Sequence, residues 1–231
     1  MISWSELGTD TRDGIIDYGD VFPTSSSHDS MDLSISSILK EMIDNNQVPV
    51  ILGGDHSITY VTCKSIAHRV GPMKIVHFDA HPDLYDNFEG NPSSHASPFA
   101  RISEHGGNIC TKLISMGIRT LNPHQIHQAH RFNVEICQAR CFPLGTASLK
   151  KYFENFIDPC DSVYITFDMD CLDPAFAPGV SHREPGGIST RQAVDAIMSI
   201  PGKIIGADVV ECKFAFNCKV YILHYFQFLF A

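Results

Sequence analysis

The chain of 231 residues is long enough for one large domain with its own hydrophobic core. Its formal net charge of −9 argues against a nucleic-acid binder, because such proteins carry a basic surface. No apolar run reaches the roughly 18–20 residues that a membrane span requires, and residues 1–20 are too acidic for a transit peptide. We therefore expect a single domain over residues 1–231, in the cytoplasm or the mitochondrion, with neither nucleic-acid nor membrane partners.

The first predicted elements are an irregular segment, a helix and a strand. Residues 1–30 are polar, rich in Gly, Asp and Ser, and lack a clear period. After Ser30 or Asp32, either of which is a candidate N-cap, apolar residues recur at helical spacing as far as Ile43. A short apolar run at residues 49–52 then predicts a buried strand.

Strand-like apolar runs recur through the rest of the chain, separated by segments of helical length. They lie at residues 74–78, 113–118, 134–137, 162–167 and 203–210. Strands that alternate with helices predict an α/β fold with a parallel sheet covered on both faces. Residues 212–231 break this rhythm, because they are crowded with Phe and Tyr and lack caps or a period. We treat them as an atypical tail and assign them no structure.

Histidines and aspartates cluster where three predicted strands end. Ligands of parallel sheets bind beyond the carboxyl ends of the strands, so these clusters are the candidate site. Residues two apart at a strand end point the same way, which lets each cluster face one point. An aspartate at one strand end is usually a turn former, but three such clusters together indicate a metal site. The candidate ligands are His56, Asp79, His81, Asp83, Asp168 and Asp170.

Six ligands are too many for one ion but suit a pair of ions. Four carboxylates and two imidazoles form a hard, oxygen-rich set, which favours Mn2+ over a thiolate zinc site. Four carboxylates in a small volume would repel one another without cations between them. Two divalent ions can share bridging carboxylates and lower the pKa of a water molecule, which is the chemistry of a hydrolase. The acidic net charge suits a cationic small substrate, although solubility alone also explains it.

Four long motifs identify a family resemblance. GGDHS at 53–57, HFDAHPD at 77–83, SHASPFAR at 94–101 and the run from Thr166 to Gly187 resemble the ureohydrolase family, which includes the arginases and agmatinases. GADVVE at 206–211 is similar to the last strand of that family. The SHASPF and SHREPGG runs most resemble plant-type arginases. The resemblance implies a three-layer α/β/α sandwich, a binuclear manganese centre and hydrolysis of a guanidinium to release urea.

The resemblance also implies how the two manganese ions are shared. His56, Asp79, Asp83 and Asp168 resemble the ligands of one ion. Asp79, His81, Asp168 and Asp170 resemble the ligands of the other ion. Asp79 and Asp168 occur in both sets, so the resemblance implies that they bridge the two ions. A homo-oligomer, either a trimer or a hexamer, is a further implication.

Catalytic and substrate-binding roles follow from the same motifs. His95 matches the active-site histidine that moves protons, and an imidazole can both accept and donate a proton in that role. Glu211 matches the carboxylate that holds the guanidinium of the substrate, a pairing that favours a fork-shaped cation. Asn87, Asn91 and Ser94, in the loop before His95, are candidates for contact with the far end of the substrate.

Two departures from the family leave the function open. The family has an opening strand and helix before the region of residues 17–21, and it continues after Glu211 with an Asn-Pro segment and a final helix. This chain starts shortly before residue 17 and carries the aromatic tail instead. The leading hypothesis is conversion of L-arginine to L-ornithine and urea. Agmatine hydrolysis to putrescine is the close alternative, and an inactive variant that only binds metal or full-length subunits is the third.

Overall fold

The computed structural model describes residues 16–22 and 28–212, and its frame is a parallel β-sheet. The strands of this part of the chain are β1 Val50–Leu52, β2 Met73–Phe78, β3 Cys110–Ile118, β4 Glu135–Gln138, β5 Ser162–Asp168 and β6 Lys203–Val210. They lie in the order β1-β6-β5-β2-β3-β4, and all neighbours pair in parallel. The carboxyl ends of the strands therefore meet along one edge of the sheet.

Helices cover both faces of this sheet. They are α1 His28–Asp44, α2 Ile58–Val70, α3 Pro98–Glu104, α4 Pro123–Arg131, α5 Thr146–Phe153 and α6 Thr190–Ile197. One core cluster packs α1 to α4 on one face, and a second packs α5 and α6 on the other. Side chains alternate between the two, since Ile75 belongs to the first cluster and Val76 to the second. The predicted three-layer α/β/α sandwich is thus confirmed.

The predicted strands are confirmed, with shifted ends. β3 begins at Cys110, three residues before the predicted start, and β4 ends one residue later than predicted. The first helix begins at His28, so the prediction of a start after Ser30 or Asp32 was wrong. Residues 28–30 contain neither Pro nor Gly. The helix can therefore extend toward the N-terminus beyond the predicted cap residues.

The predicted irregular segment and aromatic tail lie mostly outside the described residues. Of the segment 1–30, residues 16–22 are described and form neither helix nor strand, while residues 28–30 belong to α1. Of the tail, Cys212 is described and forms an antiparallel bridge with Val180. The single domain over residues 1–231 stays a prediction. In the described ranges, no helix is both long and apolar enough to cross a membrane.

Candidate metal centre

The first group of predicted ligands surrounds His56. This residue follows β1 in the loop that leads to α2, and its side chain is fully buried. Its Nδ1 lies 3.0 Å from Oδ2 of Asp83, 3.2 Å from Oδ2 of Asp79 and 3.4 Å from Oδ2 of Asp168. The strand ends of β1, β2 and β5 thus bring four predicted ligands to one point.

The second group surrounds His81 and shares Asp79 with the first. His81 Nδ1 lies 3.2 Å from Oδ1 of Asp79 and 3.2 Å from Oδ2 of Asp170. The two oxygens of Asp79 therefore face different groups, which is the arrangement that a bridging carboxylate needs. Asp168 turns Oδ2 toward His56, while its Oδ1 accepts a hydrogen bond from the Asp170 amide at 2.8 Å. Bridging by Asp168 stays a prediction.

The unpartnered nitrogen of His56 tests whether a metal fits this site. Nε2 lies 3.0 Å from the Thr166 hydroxyl, which leaves Nδ1 as the atom that faces the carboxylates. Nδ1 is buried within ion-pair distance of three carboxylate oxygens, but none of these contacts within the described part of the chain has the angles of a hydrogen bond. Buried polar atoms normally have a partner. A lone pair of Nδ1 aimed among three carboxylate oxygens fits a nitrogen that shares a cation with them.

The charges in the site also favour a cation. Burial raises the pKa of Asp83 to about 6, and the negative charge of Asp79 adds to the shift. Burial and the same neighbour raise the pKa of Asp168. Burial alone would lower the pKa of His81, but its hydrogen bonds to Asp170 and Asp79 raise it to about 11. Protons thus hold the carboxylates together when no metal is bound, and divalent cations could replace them.

His77 belongs to this centre, although sequence reasoning gave it no role. Its Nε2 is 2.8 Å from Oδ2 of Asp79 and its Nδ1 is 3.0 Å from the Ser115 hydroxyl. Burial lowers its pKa to about 4, so the ring is neutral at pH 7. His56, His77 and Asp79 each offer one possible metal-ligand atom, and these three atoms lie within 4.8 Å of one another. The same holds for Asp79, His81 and Asp170. The signal was present, because His77 lies near the end of β2, two residues before Asp79.

A cavity of about 420 Å³ opens on the ligand cluster. Besides four of the predicted ligands, it is lined by Tyr85, Phe88, His95, Ala96, Arg119, Thr120, Leu121, Asn122, Gln125, His182 and Glu211. Glu211 directly follows β6, and its Oε1 accepts a hydrogen bond from the His56 amide at 3.1 Å. The cavity is therefore lined by the candidate catalytic residues His95 and Glu211 together with four of the six predicted metal ligands.

The histidine and the polar residues of the loop after β2 are placed differently from one another. His95 lines the cavity, with its ring centroid 5.7 Å from Phe88 and 6.4 Å from His182. Asn87 and Asn91 are exposed, and Ser94 is buried with its hydroxyl 3.2 Å from that of Ser97. These last three predicted substrate contacts are absent from the cavity lining among the described residues.

His182 is a second residue that sequence reasoning missed. It lies in the long connection between β5 and α6, and its ring centroid is 5.4 Å from that of His81. The SHREPGG run that contains it was quoted for family resemblance alone. No local period places such a residue, because its position depends on how the whole connection folds back over the sheet edge.

A parallel sheet with a buried His and Asp cluster at its carboxyl edge, open to an acid-lined cavity, defines an α/β protein with a candidate metal centre. The comparisons identify the family more closely. The model of the arginase family matches residues 3–219, so the chain belongs to that family.

Three relatives place the chain within the family. Arginase 1, mitochondrial, of Arabidopsis thaliana is 44% identical over 179 residues, which are 77% of this chain and 51% of that protein. An arginase structure from Medicago truncatula is 33% identical with a TM-score of 0.75, over 88% of this chain and 65% of that one. A hypothetical agmatinase structure from Burkholderia thailandensis is 29% identical with a TM-score of 0.81, over 97% and 70%. The chain spans about half the length of the first curated relatives it matches.

Proposed function

We propose that this chain carries the catalytic site of an arginase, which hydrolyses the guanidinium of L-arginine to L-ornithine and urea. The observation that carries the proposal is the buried, unpartnered Nδ1 of His56 among the carboxylates of Asp79, Asp83 and Asp168, the last two of which line the same cavity as Glu211. Two Mn2+ ions would be held by His56, Asp79, His81, Asp83, Asp168 and Asp170. When bound, such a pair supplies Lewis acidity and lowers the pKa of water.

The residues of the chain provide binding and proton transfer. The Glu211 carboxylate accepts N–H groups of the guanidinium, since a carboxylate matches the fork of that cation. Its hydrogen bond from the His56 amide holds it beside the ligand cluster. His95 stands in the cavity wall and delivers a proton to the leaving amine. His77 orients Asp79 through its Nε2, in the way that partners of metal ligands usually do.

Arginine is the preferred substrate in this proposal. Its support is the identity of 40% to 45% to curated plant arginases, against 34% to an agmatinase of Gallus gallus. Agmatine is the second candidate, because the agmatinase structure from Burkholderia thailandensis aligns with 97% of this chain. The names of the plant relatives also support a mitochondrial location over a cytoplasmic one. The trimer or hexamer stays a prediction.

Urea release by the purified full chain tests the proposal. We expect Mn2+-dependent release of urea from L-arginine, and slower release from agmatine. Faster release from agmatine would change the substrate to the second candidate. Tight Mn2+ binding without urea from either substrate would contradict catalysis and support the inactive, metal-binding variant.

The variant Glu211→Gln separates substrate binding from metal binding. The amide oxygen of Gln can still accept the His56 N–H, so we expect Mn2+ binding to persist. Loss of the charge weakens the bond to the guanidinium, and we expect a roughly 10–100-fold fall in kcat/KM. Glu104→Gln is the matched control, since Glu104 pairs with Arg101 on α3 and is absent from the cavity lining. Equal activity of the two variants would contradict the role of Glu211.

A further inference from the structure

Arg119, which follows β3, makes an unusual set of contacts beside the metal centre. Its five N–H groups make six N···O contacts of 2.6–3.3 Å, so at least one N–H is shared between two acceptors, and every acceptor is a main-chain carbonyl. The acceptors are the carbonyls of Gly117, Asp170, Cys171, Leu172 and Glu184. Its own amide donates to the Ala80 carbonyl at 2.9 Å. One side chain therefore touches segments that are far apart in the sequence.

Two of these segments matter for the site. The short 3-10 turn Met169–Cys171 carries Asp170, and Arg119 donates to the carbonyl of Asp170 at 2.6 Å. The loop after it carries His182, and Arg119 donates twice to the Glu184 carbonyl, at 2.8 and 3.1 Å. A planar guanidinium with five N–H groups can serve both segments at once, whereas a lysine ammonium cannot.

We propose that Arg119 is a positioning residue that fixes Asp170 and His182 together. This inference rests on the proposed function, because it assigns Asp170 to one Mn2+ ion and His182 to the substrate cavity. Metal affinity in the group of His81, Asp79 and Asp170 and affinity for the substrate then depend on the same side chain. Among the described residues, the hydrogen bonds of the Arg119 guanidinium reach no residue of the group around His56, so we expect the Mn2+ affinity of that group to be kept.

The connection that follows the turn is also held by hydrogen bonds that do not involve Arg119. A substitution of Arg119 can therefore test the guanidinium itself. Oδ2 of Asp173 accepts the amides of Gly186 and Gly187 at 2.9 and 3.2 Å. The Asp173 amide donates to the Ile188 carbonyl at 2.9 Å. These bonds hold the two ends of the connection together when the guanidinium is changed.

Calorimetric titration of the metal-free chain with MnCl2 tests the metal half of the inference. In Arg119→Lys, we expect one binding step to keep its affinity and the other to weaken roughly 10–100-fold, as for other changes beside a metal ligand. Arg183→Lys is the control, because Arg183 lies in the same loop, is exposed and donates through Nε to the Pro178 carbonyl. Two unchanged steps in Arg119→Lys would overturn the inference, as would equal weakening of both steps.

Kinetics test the substrate half. At saturating Mn2+, we expect Arg119→Lys to regain its kcat for urea release while its KM stays raised. His182→Ala should raise KM in the same way and leave both Mn2+ affinities unchanged. A KM equal to wild type in either variant would overturn the inference. If the wild-type chain releases no urea, the proposed function fails, but the titration still decides the metal half.

Hydrogen exchange of the wild-type chain keeps the inference testable if Arg119→Lys does not fold. We expect the amides of residues 170–172 and those of Glu184, Gly186 and Gly187 to open as one unit, with both segments slowed together by Mn2+. Independent exchange of the two segments would overturn the inference.

Discussion

Thr166→Val tests whether the candidate centre depends on a single hydroxyl behind a ligand. Nδ1 of His56 faces the three carboxylates, so Nε2 must carry the ring proton when Nδ1 binds a metal. Nε2 then donates to the Thr166 hydroxyl, 3.0 Å away. Valine has nearly the shape of threonine and fits a strand, but it accepts no hydrogen bond. The substitution therefore leaves a buried N–H group without a partner.

Two estimates give the same size for this effect. An unsatisfied N–H on a ring that is 0% exposed costs about 1–3 kcal/mol. Loss of a partner behind a metal-binding histidine lowers metal affinity roughly 10–100-fold, which equals about 1.4–2.8 kcal/mol. We therefore expect Thr166→Val to lose about 1–3 kcal/mol of unfolding free energy in EDTA, and one to two decades of Mn2+ affinity.

Thr62→Val is the matched control for this substitution. Thr62 is also fully buried, but its hydroxyl donates back to the Ile58 carbonyl of the same helix at 3.0 Å. That carbonyl lies within α2, where the helical hydrogen-bond pattern serves it. We expect a loss of about 1 kcal/mol or less and unchanged Mn2+ affinity. Urea unfolding in EDTA and calorimetric Mn2+ titration measure both effects. If Thr166→Val and Thr62→Val lost the same unfolding free energy and had the same Mn2+ affinity, the proposed role of the Thr166 hydroxyl would be refuted.

Three further predictions concern the scaffold and the metal. A Cβ on Gly187 would lie 2.4 Å from the Asp173 amide nitrogen, so Gly187→Ala should cost about 2–3 kcal/mol of unfolding free energy in lost hydrogen bonds. A Cβ on Gly186 meets open space, so Gly186→Ala should cost about 1–2 kcal/mol for its positive φ. Equal losses of the two variants in urea unfolding would contradict this prediction. Burial raises the pKa of Asp208, so its ionisation lowers the stability of the wild-type chain as the pH rises above about 4. The urea midpoint of Asp208→Asn should therefore rise relative to that of the wild type as the pH increases. A difference between the two midpoints that does not change with pH would refute the prediction. EDTA should remove about 2.7 kcal/mol for each bound ion from a chain held at 100 times the Mn2+ Kd, and an unchanged midpoint would refute the metal centre.

The strand-end clusters were predictable because two simple rules act together. A spacing of two places side chains on one face of a strand, and parallel strands end along one edge of the sheet. The neighbouring strands β2 and β5 bring Asp79 and Asp168 to that edge, so both face His56. These rules depend on local pattern alone, and this explains why the candidate ligands could be chosen without the strand order.

Contacts between distant segments could not be predicted in this way. The Arg119 guanidinium reaches carbonyls 51 to 65 residues further along the chain, as well as one two residues before it. Main-chain carbonyls leave no mark in the sequence, because every residue has one. The role of Arg119 therefore depends on how the connection from Asp170 to Glu184 folds, and only the three-dimensional structure provides it.

His56 is the ligand for which the strand-end rule is least sufficient. β1 has three residues and, among the strands that the structure describes, pairs with β6 alone, so by itself it provides little to position a side chain. The ring and main chain of His56 are held by other strands instead. Thr166 of β5 contacts Nε2, and Glu211 after β6 accepts the His56 amide while its own amide donates to Gly54. The residue proposed to bind the substrate therefore also positions a metal ligand, which couples the two halves of the site through one carboxylate.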